Sequence, residues 1–184
     1  VEGLPAALSG PVGQRLLRQA RLQVRARAEA ALPYEVLDPE PGRGLALLPE
    51  PSPGDLFFDI EGDPFVGDHG LEYLFGVLGR GEFTAHWATS PAQERAAFES
   101  LVDHLMSAWA EDPGMHVYHY APYERLRLQA LSGRYGTRGA QVDRLLRGGR
   151  LIDLYAVVRQ GLRIGTASYS LKKLEALYWG RDRD

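Results

Sequence analysis

The sequence contains no cysteine among its 184 residues, which excludes disulfide bonds and thiolate metal sites. No apolar run approaches the roughly 18 residues that a membrane span requires, and no signal peptide is visible at the first residue. A phosphate-binding Gly-x-x-x-x-Gly-Lys-Ser/Thr loop is also missing, and the five histidines lack zinc-ligand spacing. We therefore expect a cytoplasmic protein without a membrane partner.

The net charge is only -3, but the charges are unevenly distributed along the chain. Residues 32–68 contain one arginine and nine acidic residues, whereas residues 120–184 contain thirteen basic and six acidic residues. An acidic region followed by a basic C-terminal third is consistent with a metal site next to a surface that binds a polyanion. Arginine-rich helices are also common solvated faces, so this distribution alone leaves both interpretations open.

The N-terminal part predicts an extension rather than part of a sheet. Residues 13–31 lack internal proline and carry apolar residues at helical spacing, which predicts an amphipathic helix that ends before Pro33. Residues 37–54 contain five prolines and three glycines, which is typical of a turn-rich connector. We place a domain boundary here, with residues 1–54 forming the extension and residues 55–184 the folded domain.

The remainder predicts an α/β domain with a mixed sheet whose first three strands are antiparallel and whose later strands are parallel to the first. Ser90, Pro91 and Gln93 form the start signal of a long helix, with Ser90 as N-cap and Gln93 closing a capping box. The other predicted elements are a strand from Leu56, strands at 71–78 and 83–87, a helix at 90–110, a strand at 115–119, a helix at 122–134, a strand at 151–152, a short helix at 154–159, and a last helix from Ser168 or Ser170 to Tyr178.

Two carboxylates stand one residue apart in the first predicted strand, Leu56-Phe57-Phe58-Asp59-Ile60-Glu61-Gly62. Because side chains alternate across a strand, Asp59 and Glu61 leave the backbone on the same face. Like charges there repel each other, and a divalent cation with hard oxygen ligands relieves that repulsion. Solvated acids on an edge strand are the alternative interpretation.

The order of elements and motifs along the chain resembles that of a known fold. The strand with Asp59-x-Glu61, a hairpin, a helix and then a strand entering His119-Tyr120-Ala121-Pro122-Tyr123-Glu124 resembles the ribonuclease H-like fold and the DEDD exonuclease superfamily. The segments 54–65, 70–76, 118–124 and 168–175 are more narrowly similar to YprB-type ribonuclease H-like segments of bacterial RecB-like nuclease–helicase proteins.

The resemblance implies a metal-dependent 3′→5′ exonuclease that acts on DNA or RNA in DNA repair, with Asp59, Glu61 and Glu124 as catalytic residues that hold Mg²⁺ or Mn²⁺. It also implies RecB-like nuclease and helicase regions in the same natural polypeptide. Glu124 stands where the family has Asp, and it could instead be a first-turn glutamate favoured by the helix dipole. The third acidic motif of the family has no counterpart here, and we expect it beyond Asp184. A non-catalytic module that binds nucleic acid or links two enzymes is the alternative function.

Other side chains are candidates for nucleic-acid contacts. Tyr120 and Tyr123 could provide a stacking surface for a terminal base. Lys172 and Lys173 lie at a predicted helix start, where they could hold a phosphate or simply be solvated. Asp153 follows a strand and could be a metal neighbour, but an N-cap of the next helix is the favoured interpretation.

Overall fold

The computed structural model describes residues 10–29 and 31–178. The described residues divide into two compact units, which we call the sheet unit (residues 48–154) and the terminal unit (residues 10–29, 31–47 and 155–178). The sheet unit contains β2 (Leu56–Asp63), β3 (Leu71–Gly79), β4 (Glu82–Trp87), α2 (Pro91–Glu111), β5 (Val117–His119), α3 (Tyr123–Tyr135), α4 (Gly139–Arg147) and β6 (Leu151–Asp153). The terminal unit contains α1 (Pro11–Ala28), β1 (Tyr34–Val36), most of α5 (Leu154–Gly161), β7 (Leu162–Ile164) and α6 (Leu171–Leu174).

The sheet unit is built on a five-stranded mixed sheet with the order β4-β3-β2-β5-β6. Strands β2, β3 and β4 pair antiparallel, whereas β5 pairs parallel with both β2 and β6. The predicted fold class and the predicted strand directions are therefore confirmed. This order places β2 at the centre, with the C-terminal ends of β2, β5 and β6 at the same edge of the sheet.

Strand β2 shows the side-chain alternation that its sequence predicts. Leu56, Phe58 and Ile60 are buried, while Asp59 and Glu61 are exposed on the opposite face. The buried face packs against a core supplied mainly by β3, α2, α3 and α4, including Phe75, Phe98, Leu101, Leu105, Leu128, Leu131 and Leu145. The carboxylates consequently lie on the sheet face that does not contain this core.

Helix α2 begins as predicted, with one difference in its capping. The Ser90 hydroxyl accepts a hydrogen bond from the Gln93 backbone N–H at 3.4 Å, and Pro91 occupies the first turn. The Gln93 side chain does not reach back to Ser90. Its Oε1 accepts from the backbone N–H and the hydroxyl of Thr89, at 2.8 and 2.7 Å. The Gln93 side chain therefore satisfies Thr89, the residue before the N-cap, and the predicted capping box between Ser90 and Gln93 is only half formed.

Several predicted boundaries were wrong. Helix α3 begins at Tyr123 rather than at Pro122, which takes the N-cap position. Helix α4 was not predicted, because its N-cap residue is Arg138 at φ 55°, without a capping side chain. The predicted last helix is broken into α6 and a short 3₁₀ helix, Glu175–Leu177.

Two details of the terminal unit differ from the predicted elements. Helix α1 ends at Ala28, where Glu29 adopts extended backbone, rather than continuing to Ala31. Strand β1 pairs antiparallel with β7, a pairing absent from the prediction. The side chains of Leu22, Val157, Ile164, Tyr169 and Leu174 are buried in this unit. Within the described residues, no helix is both long enough and apolar enough to cross a membrane.

Candidate functional site

Asp59 and Glu124 come together from two elements that the sheet places side by side. Asp59 lies on central strand β2, and β5 runs parallel to that strand before the chain turns into α3. Glu124 is the second residue of α3, and its carboxyl group is near enough to that of Asp59 to raise the pKa of Asp59. A proton or a cation between two carboxyl groups that interact in this way relieves their repulsion.

The electrostatics of Asp59 reflect this neighbour. Its pKa is raised from 3.8 to about 6, first by burial and then by the hydrogen bond and the negative charge of Glu124. The charge of Glu61 contributes to the same rise. Although the Asp59 residue as a whole is exposed, its carboxyl group is partly shielded from water. The site therefore disfavours two bare carboxylates at neutral pH.

Glu124 is almost completely buried, with 3% of its surface exposed. Its Oε2 is buried and has no hydrogen-bond partner among the described residues. The nearest basic group is His119 Nδ1, at 3.5 Å, which is too far for a good hydrogen bond. That nitrogen lies 2.7 Å from the carbonyl oxygen of Ala121, so it carries the proton and donates to Ala121. Glu124 Oε2 is therefore a buried hydrogen-bond acceptor without a donor among the described residues.

The turn between β5 and α3 is held in a strained conformation. Ala121 has a φ of 72°, in the left-handed region that residues other than glycine rarely adopt. Its carbonyl accepts from His119, and its N–H donates to Asp153 Oδ1 at 2.9 Å. These two bonds fix the direction in which Glu124 leaves the turn, and strain of this kind is concentrated at functional sites.

Asp153 takes a role that neither sequence interpretation included. It occupies the position before α5, where the sequence favoured an N-cap. From the end of β6, its Oδ1 accepts a hydrogen bond from the Ala121 backbone N–H in the turn that follows neighbouring strand β5. Asp153 therefore helps to position the turn that carries Glu124.

Glu61 is less closely joined to the pair. It is exposed, and it reaches Asp59 only as a neighbouring charge. Across residues 10–29 and 31–178, no three acidic, histidine or cysteine side chains are grouped closely enough to form a ready metal site. The structure therefore brings Asp59 and Glu124 near each other and leaves the exposed Glu61 as a neighbouring charge.

Sequence reasoning missed a buried glutamate, Glu72, that binds the residue next to Glu124. Glu72 on β3 is 5% exposed; its Oε2 accepts from the hydroxyl of Tyr123 at 2.8 Å and its Oε1 lies 3.3 Å from the Nε of Arg127. A Cβ added at Gly62 would lie 2.0 Å from Glu72 Oε2, so the bare backbone of Gly62 makes room for this carboxylate. The signal available in the sequence was an acidic residue inside an otherwise apolar strand.

The predicted nucleic-acid contacts have different surroundings. Tyr123 is partly exposed, with the Arg127 guanidinium 4.9 Å from its ring centroid, and burial together with the bond to Glu72 raises its pKa to about 12. Tyr120 is half-buried in the loop after β5. Lys172 and Lys173 are exposed in the terminal unit on α6, a helix of only four residues. A helix this short provides little dipole for binding a phosphate.

The residues present fit a hard divalent cation. The donors at the pair are all carboxylate oxygens, which suit Mg²⁺ or Mn²⁺ better than metals that prefer nitrogen or sulfur. The buried Glu124 Oε2 lacks a partner among the described residues, and burial together with the adjacent carboxylates raises the pKa of Asp59. A cation at the pair would satisfy the orphaned oxygen and relieve the repulsion together.

Comparison with known proteins agrees with this fold. A family model described as the RNase H superfamily matches residues 56–184, which is more than half of the chain. The chain belongs to the RNase H superfamily. No curated protein and no solved structure matches it. Members of the RNase H superfamily are usually nucleases and generally use divalent metals, so the family provides a nuclease-type fold for the carboxylates of β2 and α3.

Proposed function

We propose that the protein is a metal-dependent nuclease that hydrolyses phosphodiester bonds from the 3′ end of DNA or RNA. The single observation that carries this proposal is the Asp59–Glu124 pair, with the buried and unpartnered Glu124 Oε2. Such a pair on an RNase H-like sheet suits a divalent cation that in turn binds a phosphate, because a positive charge compensates both carboxylates.

Each residue of the site has a proposed role. Asp59 and Glu124 hold the cation, and Glu61 completes its ligands by rotation of its exposed side chain. When bound, Mg²⁺ or Mn²⁺ would activate water and neutralise charge on the phosphate. His119 and Asp153 keep the Ala121 turn in place, so that Glu124 stays aimed at Asp59.

The substrate contacts belong to the same proposal. The exposed edge of Tyr123 and the nearby Tyr120 offer aromatic surface to a terminal base, and stacking of this kind does not depend on sequence. Lys172 and Lys173 attract the phosphate backbone through their exposed charges. We also propose a cytoplasmic role in DNA repair, within a natural polypeptide that carries RecB-like nuclease and helicase regions. A domain boundary near residue 54 is part of that proposal.

The test is cleavage of a 5′-labelled single strand by the natural polypeptide in Mn²⁺, compared with its Asp59→Asn variant. We expect the parent to shorten the strand progressively from the 3′ end and Asp59→Asn to reduce cleavage to background. Asp68→Asn is the matched control, because Asp68 is an exposed acid in the loop after β2. Equal cleavage by the parent and Asp59→Asn would refute the proposed catalytic role.

A second function is favoured by one observation, namely that the described residues contain no ready group of three metal ligands. On that basis the sheet unit would be a non-catalytic module that binds nucleic acid. The same experiment separates the two, because the module would bind the labelled strand in Mn²⁺ and leave its length unchanged.

A further inference from the structure

The terminal unit contains a half-open cavity of about 790 Å³ that no part of the proposed nuclease site uses. One wall is α1, and the other walls come from residues 37–43, α5, β7 and residues 166–169. Four arginines line it, and none of its lining residues is acidic: Arg15, Arg43, Arg159 and Arg163. A concave surface lined by one sign of charge concentrates counter-ions of the opposite sign.

The cavity is preformed rather than a gap between loose segments. Gln19 Nε2 donates to the Ile164 carbonyl at 2.7 Å, and Gln23 Nε2 donates to the Thr166 carbonyl at 3.1 Å. Both glutamines lie on the face of α1 that also carries Arg15, since residues 15, 19 and 23 follow helical spacing. The Tyr169 hydroxyl accepts from Ile164 N–H at 3.1 Å and fixes the facing segment.

Two of the four arginines are already neutralised, and two are not. Arg43 pairs with Glu40 at 2.9 Å, and Arg163 pairs with Glu35. Within the part of the chain that the structure describes, Arg15 and Arg159 make no ion pair with a carboxylate; Arg159 instead lies 5.0 Å from the ring centroid of Tyr169. Both are exposed residues whose side chains line the cavity. The cavity thus offers two guanidinium groups without a carboxylate partner among the described residues, one from α1 and one from α5.

We propose that this cavity binds the phosphate backbone of a single nucleic-acid strand, with Arg15 and Arg159 contacting phosphates. Guanidinium groups match phosphate oxygens in charge and geometry. The half-open shape suits a chain that passes through, and Tyr155, Thr166 and Ser168 add hydrogen-bonding groups along it. Grooves that combine positive charge with aromatic side chains are typical of single-strand binding. The proposal extends beyond the nuclease site and does not require cleavage.

The test measures binding of a fluorescent single-stranded oligonucleotide in EDTA at several salt concentrations, using the full chain. We expect Arg15→Gln/Arg159→Gln to weaken binding of all sequences alike. The slope of log affinity against log salt should fall by about 0.7 for each phosphate that the protein no longer neutralises. The matched control is Arg18→Gln/Arg21→Gln, which removes the same charge from exposed positions of α1 that do not line the cavity. Thermal melting of both variants checks that α1 remains folded.

Three results would overturn the proposal. An equal fall in slope for both double variants would mean that binding follows net charge rather than the cavity. An unchanged slope in Arg15→Gln/Arg159→Gln would mean that these arginines contact no phosphate. Competition by a mononucleotide or inorganic phosphate as strong as that by a strand would mean that the cavity binds a small phosphate compound. Because EDTA removes divalent cations, failure here would leave the nuclease proposal intact, and loss of cleavage in Asp59→Asn would leave this one intact.

Discussion

At the scale of single residues, the molecule is organised around one electrostatic conflict. Asp59 and Glu124 are brought near enough for Glu124 to raise the pKa of Asp59, although both are acids and one is almost fully buried. A protein that needed only stability would replace such a pair, because an unpartnered buried carboxylate oxygen costs free energy. Retaining it is explained by a function that supplies positive charge.

The pH dependence of stability should show this conflict without any added metal. The pKa of Asp59 is 3.8 when unperturbed and about 6 in the folded protein. Between these values the folded state binds more protons than the unfolded state, so the free energy of unfolding contributed by Asp59 falls as pH rises through this window. We expect urea denaturation at about pH 5 and about pH 7.5 to show a smaller fall in Asp59→Asn than in the parent.

The control for this titration is Asp68→Asn, which should retain the full fall of the parent, since Asp68 is exposed in a loop. Added Mn²⁺ should reduce the fall in the parent, because the cation takes the place of the proton. A parent and an Asp59→Asn variant with parallel pH profiles would contradict the raised pKa.

At the scale of elements, a buried glutamate ties β3 to two helices. Glu94, in the first turn of α2, is 0% exposed and accepts from the Glu72 backbone N–H at 2.5 Å. It also accepts from Arg134 at 2.9 Å and from the Tyr135 hydroxyl, both at the end of α3. These bonds set the position of Glu72, which in turn holds Tyr123 next to Glu124.

We expect Glu94→Ala to lower the free energy of unfolding by about 3 kcal/mol, because it leaves a buried N–H and Arg134 without their acceptor. Glu111→Ala, at the exposed end of the same helix, should change it by less than about 0.5 kcal/mol. Denaturation in urea measures both. A destabilisation of similar size in the two variants would mean that the buried hydrogen bonds of Glu94 do not stabilise the protein.

Sequence patterns predicted the elements whose signals are local. The alternation in Leu56–Ile60 identified β2, and the Ser90-Pro91 signal identified the start of α2. The β1–β7 pairing was missed because each strand has three residues and the partners are far apart in the chain, as in Glu35 with Arg163. The Asp153 bond to the Ala121 turn was missed for the same reason, since no local pattern encodes a contact between side chain and backbone across a sheet.

At the scale of the whole molecule, the family follows from the strand order and the matched residues, whereas the geometry of the site follows from contacts between separate elements. The strand order and the run of residues 56–184 place the sheet in the RNase H superfamily. The sequence could indicate Asp59 and Glu61 as a same-face pair. It could not show that Glu124, which lies on another element, interacts directly with Asp59 rather than being a solvated acid. That contact depends on the parallel pairing of β2 with β5 and on the strained Ala121 turn.

The central claim is that the Asp59–Glu124 pair holds a divalent cation, and titration of the protein with Mn²⁺, followed by the decrease of the free-ion electron paramagnetic resonance signal, tests it most directly. We predict that the parent and Asp68→Asn bind Mn²⁺ alike, and that Asp59→Asn and Glu124→Gln each lose this binding. Each change removes one carboxylate ligand while preserving the size of the side chain. Equal binding of Mn²⁺ by all four proteins would contradict the account.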